Sequence, residues 1–273
     1  MIFKTSDNVN LYFESKGNGI SCVFIHGGPG GWSKDFEVEC GPYLEKDLNM
    51  IYLDQRGCGR SGGSKDDDYS INRIVNDLEE LRVHLNVDKW IIMAHSFGGI
   101  IATDYASKYQ LNLRGLILIN CSLFIGDSEV SQKEKGIELL NLDEDEIKKV
   151  ENESLNDFIT RLVVNDLHYK FQCKEKKTYD YMMELSQGIE NINMALQRDN
   201  RDDYFKCYYD VSSRVNNKTL IIVGDEDYCV GLNHHKNFKF KNSYIETIKG
   251  KHVPYLESTK ELVDKIKSFI EKV

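Results

Sequence analysis

Short apolar runs alternate with amphipathic stretches along the first part of the chain. The runs are typical of buried strands, and the residues between Ile71 and Leu85 place their apolar side chains on one helical face. The strands predicted here cover residues 10–14, 22–25, 50–53, 90–93 and 116–119. Such alternation predicts a mostly parallel sheet with helices on both faces.

The alternation stops after residue 121. Residues 122–210 contain no strand pattern, and Leu155, Phe158 and Leu162 follow helical spacing. Strand patterns return at residues 219–223 and 244–248, and Ser258 with Glu261 predicts a capping box for a final helix. We expect an α/β core built from residues 1–121 and 211–273, with residues 122–210 inserted as an all-helical lid.

Composition narrows the class of protein. The 273 residues are 41% hydrophobic and 29% charged, as in a globular protein, and no apolar run approaches the ~18 residues of a membrane span. The first residues lack the features of a secretory signal, and the seven cysteines include no Cys-x-x-Cys pair. These features favour a reduced cytoplasmic protein without a structural metal.

The net charge of the chain restricts the classes of binding partner. The net charge of −9 disfavours nucleic acids and anionic membrane surfaces. We expect a small-molecule or short-peptide substrate and no cofactor, and the sequence leaves the oligomeric state open.

The stretch WIIMAHSFGG at residues 90–99 carries the clearest chemical signal. Ser96 stands between an apolar run that ends at Ala94 and two glycines that precede a helical segment. This is close to Gly-x-Ser-x-Gly, the strand–turn–helix elbow of serine hydrolases, with Ala94 in place of the first glycine. The alternative is that Ser96 is a helix N-cap. The placement between strand and helix favours Ser96 as a nucleophile.

A serine nucleophile needs a base and an acid that orients the base. In the strand–turn–helix architecture the chain order is Ser, then Asp or Glu, then His. His252, in KGKHVPYLE after the predicted strand 244–248, fits the base. For the acid, GDEDYCV offers Asp225 and Asp227, and the spacing from Gly224 favours Asp227.

Two other histidines are rival candidates for the base. His26 ends a predicted strand and His95 is the neighbour of Ser96, and both better fit roles as loop braces. We expect the adjacent His234 and His235 on a helix surface. No cluster has metal-ligand spacing.

The loop HGGPG at residues 26–30 directly follows a predicted strand. Glycines allow a backbone to approach a ligand closely. Acyl transfer creates an oxyanion, which needs N–H donors fixed in advance. We expect the N–H groups of Phe97, directly after the nucleophile, and of Gly28 to serve as these donors. Gly30 and Gly31 would leave space for substrate.

Five motifs together resemble the prolyl iminopeptidase branch of the α/β-hydrolases. They are HGGPGG at 26–31, DQRGCGRS at 54–61, HSFGG at 95–99, GDED at 224–227 and GKH at 250–252. The resemblance implies an α/β-hydrolase fold with nucleophile Ser96, acid Asp227, base His252 and oxyanion donors Gly28 and Phe97. It also implies that Asp54 and Arg56 brace a turn beside the site.

The chain departs from this family at the substrate side. Members commonly carry a tryptophan where Phe97 stands, and some carry a glutamate where Tyr228 stands. The resemblance implies that carboxylates of the lid hold the free amino group of the substrate. Glu184 and Glu190 are two candidates, and the sequence does not select between the many acids there.

Three functions remain open from the sequence. The first is an aminopeptidase that releases N-terminal proline from short peptides. The second is a carboxylesterase or lactonase for small acyl substrates, which would use the same three side chains. The third is a hydrolase-like receptor that senses a small molecule.

Overall fold

Eight strands form a single sheet in the computed structural model, which describes residues 1–273. In chain order they are β1 (Ile2–Lys4), β2 (Asn10–Lys16), β3 (Ile20–Ile25), β4 (Leu48–Leu53), β5 (Trp90–His95), β6 (Leu113–Ile119), β7 (Thr219–Gly224) and β8 (Ser243–Ile248). Across the sheet the order is β1-β2-β4-β3-β5-β6-β7-β8. The pairs β1–β2 and β2–β4 are antiparallel and the other neighbours are parallel. The predicted mostly parallel sheet is confirmed.

Twelve α-helices accompany the sheet. They are α1 (Lys34–Leu44), α2 (Ile71–His84), α3 (Gly98–Lys108), α4 (Ile125–Leu140), α5 (Glu144–Glu151), α6 (Leu155–Val164), α7 (Tyr169–Gln172), α8 (Lys176–Leu185), α9 (Asn193–Leu196), α10 (Tyr209–Ser212), α11 (Pro254–Glu257) and α12 (Thr259–Ile270). No helix combines the length and the apolar character needed to cross a bilayer.

The central strand β5 shows why the sheet is apolar on both faces. All of its residues are buried. Trp90, Ile92 and Ala94 face a core shared with α2 and α3, whereas Ile91 and Met93 face a core shared with α1 and α12. Alternate side chains of a strand point to opposite faces, so two helical layers require a continuous apolar run.

The chain between β6 and β7 is helical and contributes no strand to the sheet. This segment includes α4 to α10, and it covers the edge of the sheet at which the parallel strands end. We refer to residues 122–210 as the insert. Its role as a lid is taken up below as a proposal.

The predicted capping box at the last helix is wrong. Ser258 precedes α12, but its side chain caps no backbone N–H of that helix. The Ser258 hydroxyl instead donates to the carbonyl of Lys249 at 2.5 Å. The hydroxyl therefore donates to a carbonyl of the preceding loop and does not accept from an N–H of the helix.

Register brings several loops to one edge of the sheet. Ile25 pairs with Ala94, Ala94 with Leu118 and Ile119 with Ile222. The loops that follow β3, β5, β6, β7 and β8 therefore leave the sheet side by side. In open α/β sheets this carboxyl edge is where ligands bind.

Candidate active site

Ser96 sits on a sharp turn between β5 and α3. Its φ angle is +53°, a left-handed conformation that is unusual for a residue other than glycine. The turn is tight because Gly98 and Gly99 pack against neighbouring segments of the same chain. A Cβ on Gly98 would lie 2.7 Å from the carbonyl oxygen of Ile25, and one on Gly99 would lie 2.4 Å from the Cβ of Cys121. These contacts explain why small residues follow Ser96.

A continuous hydrogen-bond chain links Ser96 to a carboxylate. The Ser96 Oγ lies 2.9 Å from Nε2 of His252, and Nδ1 of His252 lies 3.1 Å from Oδ2 of Asp227. Asp227 and His252 are both buried. Because a carboxylate only accepts, the His252 proton lies on Nδ1, which leaves Nε2 free to accept the Ser96 proton. The arrangement has the geometry of a serine nucleophile with its base and orienting acid.

Asp225 occupies a different position from Asp227. Its Oδ1 accepts a hydrogen bond from the Gly250 N–H at 2.9 Å, and the Lys174 ammonium lies 4.0 Å away. The side chain is 42% exposed and does not contact His252. Asp225 thus holds the loop that carries His252 without touching the imidazole.

The two rival histidines are committed to loop contacts. The Nε2 of His26 accepts from the Gln55 N–H at 3.0 Å. The Nε2 of His95 donates to the His252 carbonyl at 2.8 Å, and burial lowers the pKa of His95 to about 3. Neither imidazole forms a hydrogen bond with Ser96.

The expectation that His234 lies on a helix surface is wrong. His234 is buried, and its Nε2 accepts from the Leu123 N–H at 2.9 Å. It therefore fixes the first residues of the insert to the loop after β7. No local pattern indicates this contact, because Leu123 and His234 are far apart along the chain.

The predicted oxyanion donors lie beside Ser96. The backbone N–H groups of Gly28 and Phe97 form no hydrogen bond within the chain, and both residues line a cavity at Ser96. Gly28 has φ +137°, which a residue with a side chain rarely adopts. Gly27 packs so closely that a Cβ there would lie 2.8 Å from the Ser96 Cβ. The HGGPG loop is thus held against the Ser96 turn.

The expectation that Gly30 leaves space for substrate is wrong. A Cβ on Gly30 would lie 2.6 Å from the Cβ of Ala195, in α9 of the insert. The missing side chain therefore lets the insert approach the HGGPG loop.

Two cavities meet at Ser96, and Gly28, Ser96 and His252 line both. The first, of about 270 Å³, is named the Arg198 cavity and is lined by Ile125, Glu129, Gln132, Leu155, Ile159 and Arg198. The second, of about 240 Å³, is named the Asp35 cavity and is lined by Phe24, Trp32, Asp35, Met182, Ile189 and Tyr255. A substrate carbonyl at Ser96 would have room on both sides.

The carboxylates of the insert do not lie where the family resemblance implies, free and beside the substrate. Glu184 and Glu190 are exposed and line neither cavity. Glu129 of α4 reaches the Arg198 cavity, but its Oε1 lies 2.5 Å from Nη2 of Arg198. Tyr228 also lies outside both cavities, under the ammonium of Lys135.

Asp227, Cys229 and His252 could in principle hold a metal, since their ligand atoms lie within 4.8 Å of one another. The chemistry of the set does not suit one. Asp227 and His252 are already hydrogen-bonded to each other, and burial raises the pKa of the Cys229 thiol well above its usual range. A thiol that resists ionisation is a poor ligand.

The sequence as a whole matches a known family model. Residues 22–259 match the model described as the alpha/beta hydrolase fold. A proline iminopeptidase of Saccharolobus solfataricus is 31% identical over an alignment that covers 97% of this chain and 93% of that protein. The chain belongs to the α/β-hydrolase family. It is a prolyl iminopeptidase-like serine hydrolase.

Solved structures agree with this hydrolase in fold. The proline iminopeptidase-related protein of Thermus thermophilus superposes with a TM-score of 0.77 at 20% identity, covering 98% of this chain and 96% of that one. An esterase of Exiguobacterium antarcticum gives a TM-score of 0.75 at 18% identity, covering 99% and 98%. At these identities the likeness concerns the fold alone.

Asn120 of the hydrolase is a site residue that sequence reasoning missed. It follows β6 with φ +45° and is buried. Its Nδ2 donates to the carbonyl of Lys251 at 2.7 Å and to that of His252 at 3.2 Å, and its Oδ1 accepts from the Gly224 N–H at 2.7 Å. One side chain thus joins the two loops that carry Asp227 and His252. Its place directly after a predicted strand was the available signal.

Replacing Asn120 with aspartate is expected to destabilise the hydrolase and slow it. The carboxylate still accepts from Gly224 but faces the two carbonyls it can no longer donate to. Lost pairing of buried polar groups costs about 1–3 kcal/mol of unfolding free energy, and a displaced His252 should lower kcat at least about tenfold. Urea unfolding and kcat would measure both.

Asn242→Asp is the matched control, since Asn242 is exposed and its Nδ2 donates to the Asn216 carbonyl at 2.8 Å. It should change unfolding free energy by less than about 0.5 kcal/mol. An Asn120→Asp variant with unchanged stability and kcat would show that Asn120 does not position His252.

Proposed function

We propose that this hydrolase is an aminopeptidase that releases N-terminal proline from short peptides through an acyl-enzyme on Ser96. The observation that carries the chemistry is the hydrogen-bond chain from Ser96 through His252 to Asp227, at 2.9 Å and 3.1 Å. The preference for proline is supported by the proline iminopeptidase that aligns over nearly the whole chain.

The steps follow from the side chains. His252 Nε2 takes the Ser96 proton while Oγ attacks the carbonyl carbon of the proline residue. The N–H groups of Gly28 and Phe97 bind the oxyanion, and each such donor contributes about 2.7–4 kcal/mol to the transition state. His252 then gives its proton to the departing amine, and the C–N bond breaks.

A water molecule completes the cycle. His252 takes a proton from the water as its oxygen attacks the acyl carbon. The second tetrahedral intermediate collapses when the proton returns to Ser96 Oγ, and free proline leaves. Asp227 keeps His252 in the required tautomer and stabilises the imidazolium in both halves.

We further propose that the insert acts as a lid that sets specificity. Residues of α4, α6 and the segment around Arg198 line the Arg198 cavity, and Met182 and Ile189 line the Asp35 cavity. The core supplies the reacting groups, whereas the insert supplies much of the wall that a substrate would touch.

A side-by-side assay tests the proposed substrate. Proline 4-nitroanilide should be hydrolysed with a kcat/KM at least about tenfold above that for alanine 4-nitroanilide, because the proline ring places two more methylene groups in contact with the cavity wall than the alanine methyl does. p-Nitrophenyl butyrate serves as the ester control. Turnover of the ester without turnover of either anilide would favour a carboxylesterase, and turnover of none would favour a receptor.

A further inference from the structure

The Asp35 cavity has apolar side chains and neutral polar side chains in its walls, and a single carboxylate. Phe24, Trp32, Met182, Ile189 and Tyr255 supply apolar or aromatic surface, and Asp35 is the one acidic residue that lines it. The volume of about 240 Å³ lies below the roughly 300–1,000 Å³ typical of sites for drug-sized ligands. The cavity therefore suits one small ring bearing one positive charge.

The Asp35 carboxylate has neutral partners only. It accepts from the Phe36 N–H at 2.8 Å and from the Tyr255 hydroxyl at 2.9 Å, and no cationic side chain contacts it. Burial raises the pKa of Asp35 to about 6. A half-buried carboxylate without a cation is one that a bound ammonium would stabilise.

Glu129 does not offer the same opportunity. It reaches the Arg198 cavity on the other side of Ser96, but the Arg198 guanidinium already neutralises it. Asp35 is thus the carboxylate at Ser96 that is free to pair with a substrate cation.

We propose that Asp35, which belongs to α1 of the core, binds the protonated N-terminal amine of the substrate. This inference rests on the proposed aminopeptidase function and names its amine anchor. The proline ring occupies the Asp35 cavity, the scissile carbonyl lies at Ser96, and the departing peptide extends into the Arg198 cavity. A charged amine in this partly apolar cavity would lack a charged partner without Asp35, and desolvated charges need partners.

Two substrates separate charge recognition from catalysis. Proline 4-nitroanilide carries the cation, and the p-nitrophenyl ester of cyclopentanecarboxylic acid carries a similar ring without charge. Asp35→Asn should lower kcat/KM for the proline substrate by about 10- to 100-fold, the range expected for a charged hydrogen bond. The loss for the neutral ester should be far smaller. Equal losses on both substrates, or none on the proline substrate, would overturn the assignment.

Two matched variants separate the charge of Asp35 from its surroundings. Glu129→Gln removes a carboxylate from the opposite cavity and should leave the ratio of the two kcat/KM values unchanged. Tyr255→Phe removes the hydroxyl that stabilises ionised Asp35 but keeps the carboxylate, so it should lower the ratio less than Asp35→Asn does. A collapse of the ratio in Glu129→Gln would show that Glu129 of the insert, and not Asp35, binds the substrate amine. A ratio that collapses in Tyr255→Phe but survives in Asp35→Asn would assign recognition of the amine to the hydroxyl and not to the carboxylate.

Inhibition of the unmodified hydrolase tests the anchor independently of any variant. Prolinol, a cation without a scissile carbonyl, should inhibit hydrolysis of the neutral ester at least about tenfold more strongly than cyclopentylmethanol. Equal inhibition would contradict the cation site even if Asp35→Asn fails to fold. If the unmodified hydrolase cleaves the ester but not proline 4-nitroanilide, the proposed aminopeptidase fails, and prolinol inhibition still decides on Asp35.

Discussion

Ser96→Ala should abolish turnover and covalent labelling by a fluorophosphonate. The Oγ that lies 2.9 Å from His252 is the only hydroxyl hydrogen-bonded to that imidazole. Removing a serine nucleophile lowers kcat about 10⁶-fold in hydrolases of this chemistry. Mass spectrometry of the labelled protein and kcat on p-nitrophenyl butyrate would measure the two losses. Stability should change little, because serine and alanine meet the same conformational cost at φ +53°.

Ser122→Ala provides a matched control. Ser122 lines the Arg198 cavity with Ser96, but its hydroxyl pairs with Ser128 at 2.9 Å and has no histidine partner. Labelling of one serine should persist in this variant. Labelling that survives Ser96→Ala and disappears with Ser122→Ala would show that Ser122, and not Ser96, is the nucleophile.

The sheet could be predicted because buried parallel strands are apolar on both faces. Each central strand therefore stands out as a run even without alternation, as in Trp90–His95. The edge strand β1 was missed for the opposite reason. Of its residues only Phe3 is buried, so Ile2–Lys4 shows no pattern. Strand ends were missed by one to three residues where polar positions continue the pairing, as at Ser15 and Lys16.

Local patterns failed where a distant partner took over. Ser258 followed the rule for a cap and instead bonds Lys249, and His234 followed the rule for a helix surface and instead holds Leu123. Both outcomes depend on how the loop after β7, the loop after β8 and the insert pack together. No window of a few residues contains that information.

The residues of the candidate site also fall into two groups, those that the sequence identifies and those that only the folded structure identifies. Ser96, Asp227 and His252 follow predicted strands in a fixed chain order, so motifs and spacing were enough to name them. Asp35 and Asn120 have no motif of their own. Asp35 becomes notable only because α1 places it in a cavity at Ser96, and Asn120 only because it reaches both loops.

Asp227→Asn should lower kcat about 10⁴-fold, the loss expected when the orienting acid of a serine hydrolase becomes an amide. Both Asp227 oxygens lie within 3.2 Å of His252 Nδ1, and Oδ1 also accepts from the Cys229 N–H at 2.9 Å. The Cys229 bond fixes the asparagine oxygen, so its NH₂ group faces Nδ1. Nδ1 must then accept, which places the His252 proton on Nε2. In that tautomer His252 donates to Ser96 and cannot take its proton.

Asp225→Asn is the control that separates the two acids of GDED. The asparagine oxygen can still accept from the Gly250 N–H, and the Lys174 contact at 4.0 Å is an exposed pair of little energetic weight. We therefore expect kcat within about threefold of the unmodified hydrolase. Thermal unfolding of both variants would show whether a loss of kcat reflects chemistry or folding. A 10⁴-fold loss in Asp225→Asn with activity kept in Asp227→Asn would transfer the orienting role to Asp225, although the folded chain keeps that carboxylate away from the imidazole.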